Sequence, residues 1–316
     1  MRRPTRTSIT PPRLASLSAA RSQLEYSSRA LVFAADDRRL FRGWGTPERP
    51  WLLSVEAGRE RWSIEAWGAG PAPARAAVRS LFSLDHPLEE FYRRTRTEPA
   101  LRGTERRFRG LRIPRDANLY EAILHSLIGQ QISVRAANAI KTRLFERFGV
   151  VLEADGVSVP WPPPPSRLLR EGPEALRAVG LSTAKSRALV ELAIWASHRP
   201  PTARHLADAA LPEARGALER LRGVGRWTAE NALLRGVGRR DVFVAGDLGV
   251  RVALDRYGGV PRGAPDEAAR AWAERWYPGW GSYATLYLWR KLVDDRAAEV
   301  GTDRLGASRR SSASVR

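Results

Sequence analysis

The first part of the chain carries short apolar stretches whose pattern has a period of two. Every second side chain is apolar within residues 61–67, and the apolar stretches 29–35 and 51–56 precede it. Residues 57–60 form a hairpin-like loop between the last two stretches. A period of two predicts β-strands with one buried face. Residues 72–82 have the composition of a helix with one apolar side, so we expect a small sheet with a helix laid across it.

From residue 118 onward the apolar positions recur at helical spacing. Asn118 and Ser133 are predicted N-caps, because their short polar side chains accept hydrogen bonds from the first free amides of a helix. The predicted helices cover residues 119–128, 134–148, 173–179, 183–197, 213–221, 227–237, 247–254, 266–276 and 282–294. The prolines within residues 160–165 exclude a helix there and predict a stiff connector.

The change of pattern predicts an α+β fold, with an N-terminal antiparallel sheet domain followed by two mainly helical subdomains and an active cleft between those two. The predicted parts are a disordered basic tail at 1–28, the sheet domain at 29–95, one helical subdomain made of 96–118 and 240–295, a second at 119–239, and a disordered tail at 296–316.

Basic residues exceed acidic residues throughout the chain. The 53 lysine and arginine residues against 34 aspartate and glutamate residues give a formal net charge of +19. A field of that sign favours a nucleic acid as partner, although a basic protein without that function has the same composition. No apolar run reaches the length of a membrane span. The chain has no cysteine, which excludes disulfides, thiol catalysis, Cys-ligated zinc and iron–sulfur clusters.

Residues 221–229, Leu-Arg-Gly-Val-Gly-Arg-Trp-Thr-Ala, lie between two predicted helices. Gly223 and Gly225 allow a tight turn, after which the amides at the start of the next helix point outward. Such a hairpin can hold a phosphate oxygen without a charged side chain. A plain turn between two helices has the same Gly-x-Gly pattern.

Asp247 follows the apolar run 242–246 and stands where a helix begins. One interpretation is an ordinary N-cap. The other is a carboxylate kept ionised by the helix N-terminus, which could stabilise a positively charged sugar in a dissociative transition state.

Together these motifs resemble the helix-hairpin-helix DNA glycosylases, and within them the DNA-3-methyladenine glycosylase II branch. The resemblance covers about residues 29–294. Four blocks match in order, at residues 127–133, 180–185, 221–229 and 281–289.

The resemblance implies a role for each matching residue. It makes Asp247 the catalytic aspartate. It implies DNA contacts at Gly223, Val224, Gly225, Arg226, Thr228, Gln130, Gln131 and Ser133, and a base pocket made of Trp227, Trp289, Asn231, Leu248 and Tyr283. Gln131, with Gln130, matches the tip that enters the gap left by the flipped nucleotide. We expect no metal held by side chains and no cofactor, although the hairpin carbonyls can hold a monovalent cation.

Three positions depart from the family pattern. Gly246 stands where a relative has a second acid, and Asn231 and Leu248 replace aromatic residues of the pocket. Relatives that also cut the strand have a lysine at the position of Trp227. A monofunctional enzyme is therefore expected, because we place two of the three lysines, Lys141 and Lys185, on helices that face solvent or the DNA backbone.

The expected function is excision of damaged, alkylated purines of the 3-methyladenine type in base excision repair. The alternatives are a glycosylase for oxidised or deaminated bases, or a non-catalytic helix-hairpin-helix protein that binds DNA. We expect a monomer that binds double-stranded DNA with damaged bases, has no membrane partner, and works in the bacterial cytoplasm at the nucleoid.

Overall fold

The computed structural model describes residues 3–25, 33–35, 38–198 and 200–313, with residues 300–313 as backbone only. The chain forms two compact units. The first consists of Met1–Leu88 and Phe108–Val242, and the second of Glu89–Arg107 and Phe243–Arg316. This division differs from the predicted domains. The sheet and the helices of residues 119–239 share one unit, and the segment that joins the C-terminal part is 89–107 instead of 96–118.

The first unit contains a five-stranded antiparallel sheet. Its strands are β1 (Thr5–Ile9), β2 (Phe33–Ala35), β3 (Arg39–Thr46), β4 (Arg49–Ala57) and β5 (Trp62–Trp67), in the spatial order β1-β5-β4-β3-β2. Helices α1 (Leu17–Glu25) and α2 (Pro71–Leu81) contribute to the core on one face of this sheet. The predicted strands at 51–56 and 61–67 correspond to β4 and β5. Of the predicted strand 29–35, residues 29–32 lie outside the described part of the chain.

The prediction of a disordered tail at 1–28 is wrong for residues 3–25. Strand β1 pairs with β5 from Thr5 opposite Ala66 to Ile9 opposite Trp62. The buried side chains of α1 include Leu17 and Leu24, one apolar stripe at helical spacing. The arginine- and serine-rich composition hides this stripe. Residues 1–2 and 26–28 lie outside the described residues.

A two-stranded hairpin covers the opposite face of the sheet. Strands β6 (Val150–Ala154) and β7 (Val157–Trp161) are joined by Asp155 and Gly156, which both have positive φ. Trp161 packs on β3 so closely that a Cβ on Gly43 would lie 2.6 Å from its ring. Residues 162–164 connect this hairpin to the next helix, a much shorter connector than the predicted 160–165.

The remaining helices are α3 (Leu88–Thr95), α4 (Thr104–Arg107), α5 (Leu119–Gly129), α6 (Val134–Phe148), α7 (Pro165–Arg177), α8 (Thr183–Ser197), α9 (Ala203–Asp208), α10 (Leu211–Glu219), α11 (Arg226–Ala232), α12 (Leu248–Ala253), α13 (Asp266–Trp276) and α14 (Gly281–Ala313). Both α11 and α12 end in a π-helical turn, Leu233–Val237 and Leu254–Gly258 respectively.

Helix α5 lies at the centre of the first unit and is buried from Leu119 to Ile128. The predicted caps are confirmed, because Asn118 accepts a hydrogen bond from the amide of Glu121 and Ser133 accepts one from that of Ala136. Glu121 is fully buried and pairs with buried Arg42 of β3, with 2.6 Å between Oε1 and Nη2. The pair ties the sheet to α5, because removing either partner would leave a buried charge without compensation.

The second unit has a core rich in aromatic side chains. Phe91 of α3 lies within ring-contact distance of residues from the C-terminal part of the chain, namely Tyr277, Trp280, Tyr283 and Tyr287. Buried Glu98 accepts a hydrogen bond from the hydroxyl of Tyr277 at 2.9 Å. These contacts explain why residues 89–107 belong with the C-terminal segment.

Helix α14 includes residues 296–299 with their side chains, so the predicted disordered tail at 296–316 begins inside a helix. The segment has no proline, and once a helix is nucleated each further residue adds one hydrogen bond at low entropic cost. Residues 314–316 lie outside the described chain. Among the described helices, none combines the length and the apolar character that a bilayer crossing requires.

Candidate active site

The hairpin between α10 and α11 contains two glycines with different geometries. Gly223 has a φ of +83°, and a Cβ there would lie 2.8 Å from the Cβ of Ala188 on α8. Glycine is therefore required at 223 both by the backbone conformation and by packing. Gly225 has an extended backbone that any residue can adopt, and a Cβ there would meet nothing within 4 Å. The open space at Gly225 faces outward, since the residue is exposed.

The residues predicted to contact DNA fall into two groups. Exposed positions are Gly223, Gly225, Arg226, Gln131 and Ser133. Val224 and Thr228 are buried, and their side chains therefore shape the hairpin from inside. The amide of Val224 donates to the carbonyl of Leu221 at 2.9 Å, which closes the turn.

Gln130 is half-buried, and its side chain is bonded to the hairpin. Its Nε2 donates to the carbonyl of Gly223 at 2.9 Å and to Oγ1 of Thr228 at 2.7 Å. The next residue, Gln131, is exposed and has a φ of +56°. Such a conformation costs a residue with a Cβ about 1 kcal/mol. Of the two glutamines, Gln131 is the exposed one, and its role as the tip stays a prediction.

The expectation that Lys141 faces solvent or DNA is wrong. Lys141 is fully buried on α6. Lys185 on α8 donates from Nζ to the carbonyls of Ile128 and Gln130, at 2.8 and 2.7 Å. Burial lowers the pKa of Lys185. The third lysine, Lys291, is 2.9 Å from the carboxylate of Asp295.

Asp247 is the N-cap of α12 and is half-buried. Its Oδ1 accepts hydrogen bonds from the amides of Gly249 and Val250, at 2.9 and 3.1 Å. The N-cap interpretation is confirmed, and the same carboxylate lies at the positive end of that helix. Its action on a sugar stays a prediction. The apolar run before Asp247 is a buried segment without strand pairing. The amide of Val244 donates a hydrogen bond to Oγ1 of Thr285 and so fixes this segment.

Trp289 provides the third donor to the same oxygen. Its indole Nε1 lies 2.8 Å from Oδ1 of Asp247. The two side chains approach over Gly249, where a Cβ would lie 3.1 Å from both Oδ1 and the indole Cδ1. Gly249 was not among the predicted site residues, although a glycine in the first turn of a helix is unfavourable and signals such close packing.

The predicted base-pocket residues have mixed surroundings. Trp227 and Trp289 are half-buried, and Leu248 is 61% exposed. Asn231 is buried, and its Nδ2 donates to the carbonyl of Trp227 at 2.9 Å. Tyr283 is 0% exposed within the aromatic core. In this conformation Tyr283 therefore has no surface for a base, and its assignment to the pocket is wrong.

Two further acids lie near Asp247, Asp266 in space and Asp241 in the sequence. A Cβ on Gly246 would lie 3.3 Å from Oδ2 of Asp266, so a second acid at position 246 would meet another carboxylate. Asp241 pairs with Arg239 through both carboxylate oxygens, at 2.6 and 2.9 Å. Asp241 is thus engaged in a local ion pair.

Three buried residues of the first unit, Asp116, Glu121 and His125, place their ligand atoms within 4.8 Å of one another. A guanidinium already serves as the cation of this group, because Arg42 bonds to Oε1 of Glu121. Oε2 of Glu121 accepts from the amide of Ala117 at 2.8 Å. The cluster is a buried ion-pair network, and the expectation of no side-chain metal site remains a prediction.

Comparisons with known proteins identify the superfamily. The family model of the HhH-GPD superfamily base excision DNA repair protein matches residues 124–278 of the chain. DNA-3-methyladenine glycosylase of Bacillus subtilis (strain 168) is 29% identical over 215 residues, which are 68% of this chain and 71% of that protein. DNA-3-methyladenine glycosylase 2 of Escherichia coli (strain K12) is 33% identical over 180 residues, 57% of this chain and 60% of that protein. The chain thus spans less than two thirds of the second relative.

A solved structure shows the same fold. The 3-methyladenine DNA glycosylase from Archaeoglobus fulgidus superposes with a TM-score of 0.79, at 24% identity, over 90% of this chain and 98% of that chain. The predicted α+β fold class, the resemblance to 3-methyladenine glycosylase II and the enzyme class of DNA N-glycosylase are confirmed. Residues 124–278 belong to the HhH-GPD superfamily of base excision DNA repair proteins.

Proposed function

We propose that the protein excises alkylated purines from duplex DNA by hydrolysis at C1′, with Asp247 as its catalytic group. The observation that carries this proposal is the orientation of one carboxylate. Three N–H groups, from Gly249, Val250 and Trp289, hold Oδ1 of Asp247 at the start of a helix. A carboxylate fixed before the reaction stabilises a developing positive charge without reorganisation in the transition state.

The reaction begins when the hairpin binds a phosphate through backbone amides near Gly225, and Gln131 enters the gap left by the extruded base. Extrusion costs a few kcal/mol and is easiest at a weakened pair. The glycosidic bond then breaks, and its electron pair leaves with the purine. Water adds to C1′ and gives its proton to Asp247 or to solvent. An N3- or N7-alkylated purine is cationic before it leaves, so no strong general acid is needed.

The reaction stops at an intact abasic strand because no lysine serves as nucleophile. Trp227 occupies the position where lyase relatives have one. Lys185 and Lys291 are engaged with carbonyls and a carboxylate, and Lys141 is buried. A Schiff base needs an unprotonated amine that can reach the sugar.

The hairpin also suits a monovalent cation. The carbonyls of Leu221 and Gly223 each accept one hydrogen bond, from Val224 and Gln130, and a carbonyl oxygen retains a second lone pair. These neutral oxygens would hold such a cation, which would add positive charge beside the phosphate. We also propose a monomer that acts on the bacterial nucleoid.

The test is base release from defined duplexes containing alkylated, oxidised or deaminated purines. We expect release of the alkylated base, strand breaks only after alkali or heat, and no covalent adduct after borohydride treatment. Release confined to oxidised or deaminated bases would support the second substrate class. Binding without release from any duplex would support the non-catalytic alternative, and a trapped adduct would contradict the monofunctional mechanism.

A further inference from the structure

Two side chains hold the loop of residues 129–133, Lys185 from outside the loop and Gln130 from within it. Lys185, in the first turn of α8, donates from Nζ to the carbonyls of Ile128 and Gln130. These carbonyls belong to the C-terminal end of α5, where the helix dipole carries partial negative charge, so an ammonium group is favoured there.

The side chain of Gln130 connects the same loop to the hairpin. Its amide group has two N–H donors, and the two acceptors are the carbonyl of Gly223 and Oγ1 of Thr228. Both donors are therefore directed into the protein. The loop and the hairpin are joined by one short side chain, which fixes the distance between them.

Helix α8 supports both structures at once. Ala188 stands three residues after Lys185, on the same face of the helix. Its Cβ is the atom that a Cβ on Gly223 would meet at 2.8 Å. One face of α8 thus contacts the loop through Lys185 and the hairpin through Ala188.

What this framework holds is the projecting tip. Gln131 has a φ of +56°, a backbone conformation that persists only where the surroundings determine it. Ile132 and Val134, the next apolar side chains, are 37% and 53% exposed. A loop of this kind would relax easily if its anchors were removed.

We infer that Lys185 and Gln130 are positioning residues that hold the tip at Gln131 in a fixed register with the phosphate-binding hairpin. The inference rests on the proposed function, in which the tip fills the gap beside the gripped phosphate. A rigid link makes the two contacts with DNA simultaneous. Neither residue touches the reacting atoms, and neither supplies charge to the DNA backbone.

The experiment compares single-turnover excision of one N7-methylguanine placed opposite cytosine or opposite thymine. Extrusion from the proper pair depends more on the tip, because the mismatch is already weakened. We expect Lys185→Met and Gln130→Met to reduce excision at least tenfold opposite cytosine and less than threefold opposite thymine. Lys185→Arg keeps donors for the two carbonyls and should retain most of the activity.

Two further readouts separate positioning from DNA binding. Because Nζ of Lys185 faces carbonyls, Lys185→Met should leave the dependence of affinity on salt unchanged. Loss of a phosphate contact would lower the slope of log affinity against log salt by about 0.9. Arg222→Gln, which removes an exposed charge beside the hairpin, is the matched control and should weaken excision equally on both duplexes.

Circular dichroism and melting temperature establish that each variant is folded, and Gln130→Met tests the link from the other end if Lys185→Met does not fold. Equal losses on both duplexes, or a lower salt slope for Lys185→Met, would overturn the inference. Gln131→Ala separates this failure from that of the proposed function. If it changes the ratio of the two rates while Lys185→Met and Gln130→Met do not, the tip acts but the positioning role is wrong.

Discussion

The hairpin and the Asp247 segment use opposite means to place a functional group. In the hairpin of the first unit, the groups proposed to meet DNA are backbone amides, and side chains such as Gln130 and Thr228 only hold the backbone in place. In the second unit, the group proposed to meet the sugar is one side chain, and backbone amides hold that side chain.

This contrast has a consequence for mutation. Where backbone amides bind, a substitution acts through the shape of the turn or by blocking the approach of the ligand. Where a single carboxylate acts, a change of charge at constant shape is sufficient. Substitutions that preserve shape should therefore be tolerated in the hairpin and not at Asp247.

The largest effect is expected from Asp247→Asn. Asparagine can still cap α12 and accept the three N–H bonds, but it has no negative charge for the sugar. Base release should fall at least 100-fold, in line with loss of an electrostatic stabiliser, with affinity for duplex DNA retained. Single-turnover excision and equilibrium binding measure the two quantities. Asp266 is a nearby acid of the same unit, and its substitution Asp266→Asn is the control, which should change excision less than threefold. Near-full activity of Asp247→Asn would show that Asp247 has no part in the mechanism.

The two glycines of the hairpin should respond differently. Gly225→Val adds a side chain where the backbone is extended and no protein atom lies within 4 Å, so the fold should persist. We expect about tenfold weaker binding to damaged and undamaged duplexes alike, because phosphate contacts carry no sequence information. Gly223→Ala should instead lower the melting temperature. Unchanged affinity of a folded Gly225→Val protein would show that the hairpin is not the grip.

A smaller effect is expected from Trp289→Phe, which keeps an aromatic ring but removes the donor to Oδ1 of Asp247. Two amide donors remain, so loss of one hydrogen bond of about 1 kcal/mol should reduce kcat roughly fivefold. KM should change little. Trp276→Phe on α13 is the control. An equal fall in kcat for both variants would indicate a packing effect.

The smallest effects concern the stability of the fold, and the pH at which stability is lost differs between the two units. In the first unit, burial and then the charges of Arg115, Arg112 and Arg240 lower the pKa of His86 to about 4. The unfolded chain binds more protons than the folded one between that pKa and the ordinary value of 6.5. Stability is therefore lost as the pH falls from about 6.5 to about 4.

In the second unit the loss comes at lower pH. Burial raises the pKa of Asp295, but hydrogen bonds from Lys291, Tyr257 and Arg107 outweigh burial and lower it to about 2. The stabilisation is lost as the pH falls through about 4 to 2. We expect His86→Gln to remove only the first decrease in a series of melting temperatures from pH 7 to about pH 2. His205→Gln, at an exposed position, should leave both decreases in place.

Local signals predicted most of the helices, but they did not predict α1, α3, α4 or α9. Asn118 and Ser133 each accept the hydrogen bond expected of an N-cap, because capping depends on neighbours within four residues. The hairpin β6–β7 also had a local signal, since Asp155-Gly156 between apolar residues is typical of a tight turn. Strand β3 had no such local signal. A glycine is needed at position 43 because the ring of Trp161, from a distant part of the chain, packs against it.

The candidate site was predictable where a proposed role belongs to one residue alone, and not where it depends on a distant partner. Asp247 stands at a helix start after an apolar run, and both features are visible in the sequence. The roles of Gln130 and Lys185 depend on partners 55 or more residues away. Tyr283 was misplaced because an aromatic side chain suits a core as well as a pocket, and only packing decides between them.

Strand β1 has a practical consequence for anyone who works with this protein. It forms one edge of the sheet and covers the hydrogen-bonding groups of β5. Removal of the arginine-rich N-terminal residues, a common step toward better crystals, would leave β5 as a bare edge. An unprotected strand edge is a template for pairing with another chain. Trimming at residue 28 should therefore give a protein that precipitates on concentration, and a purification tag is better placed ahead of residue 1 than substituted for β1.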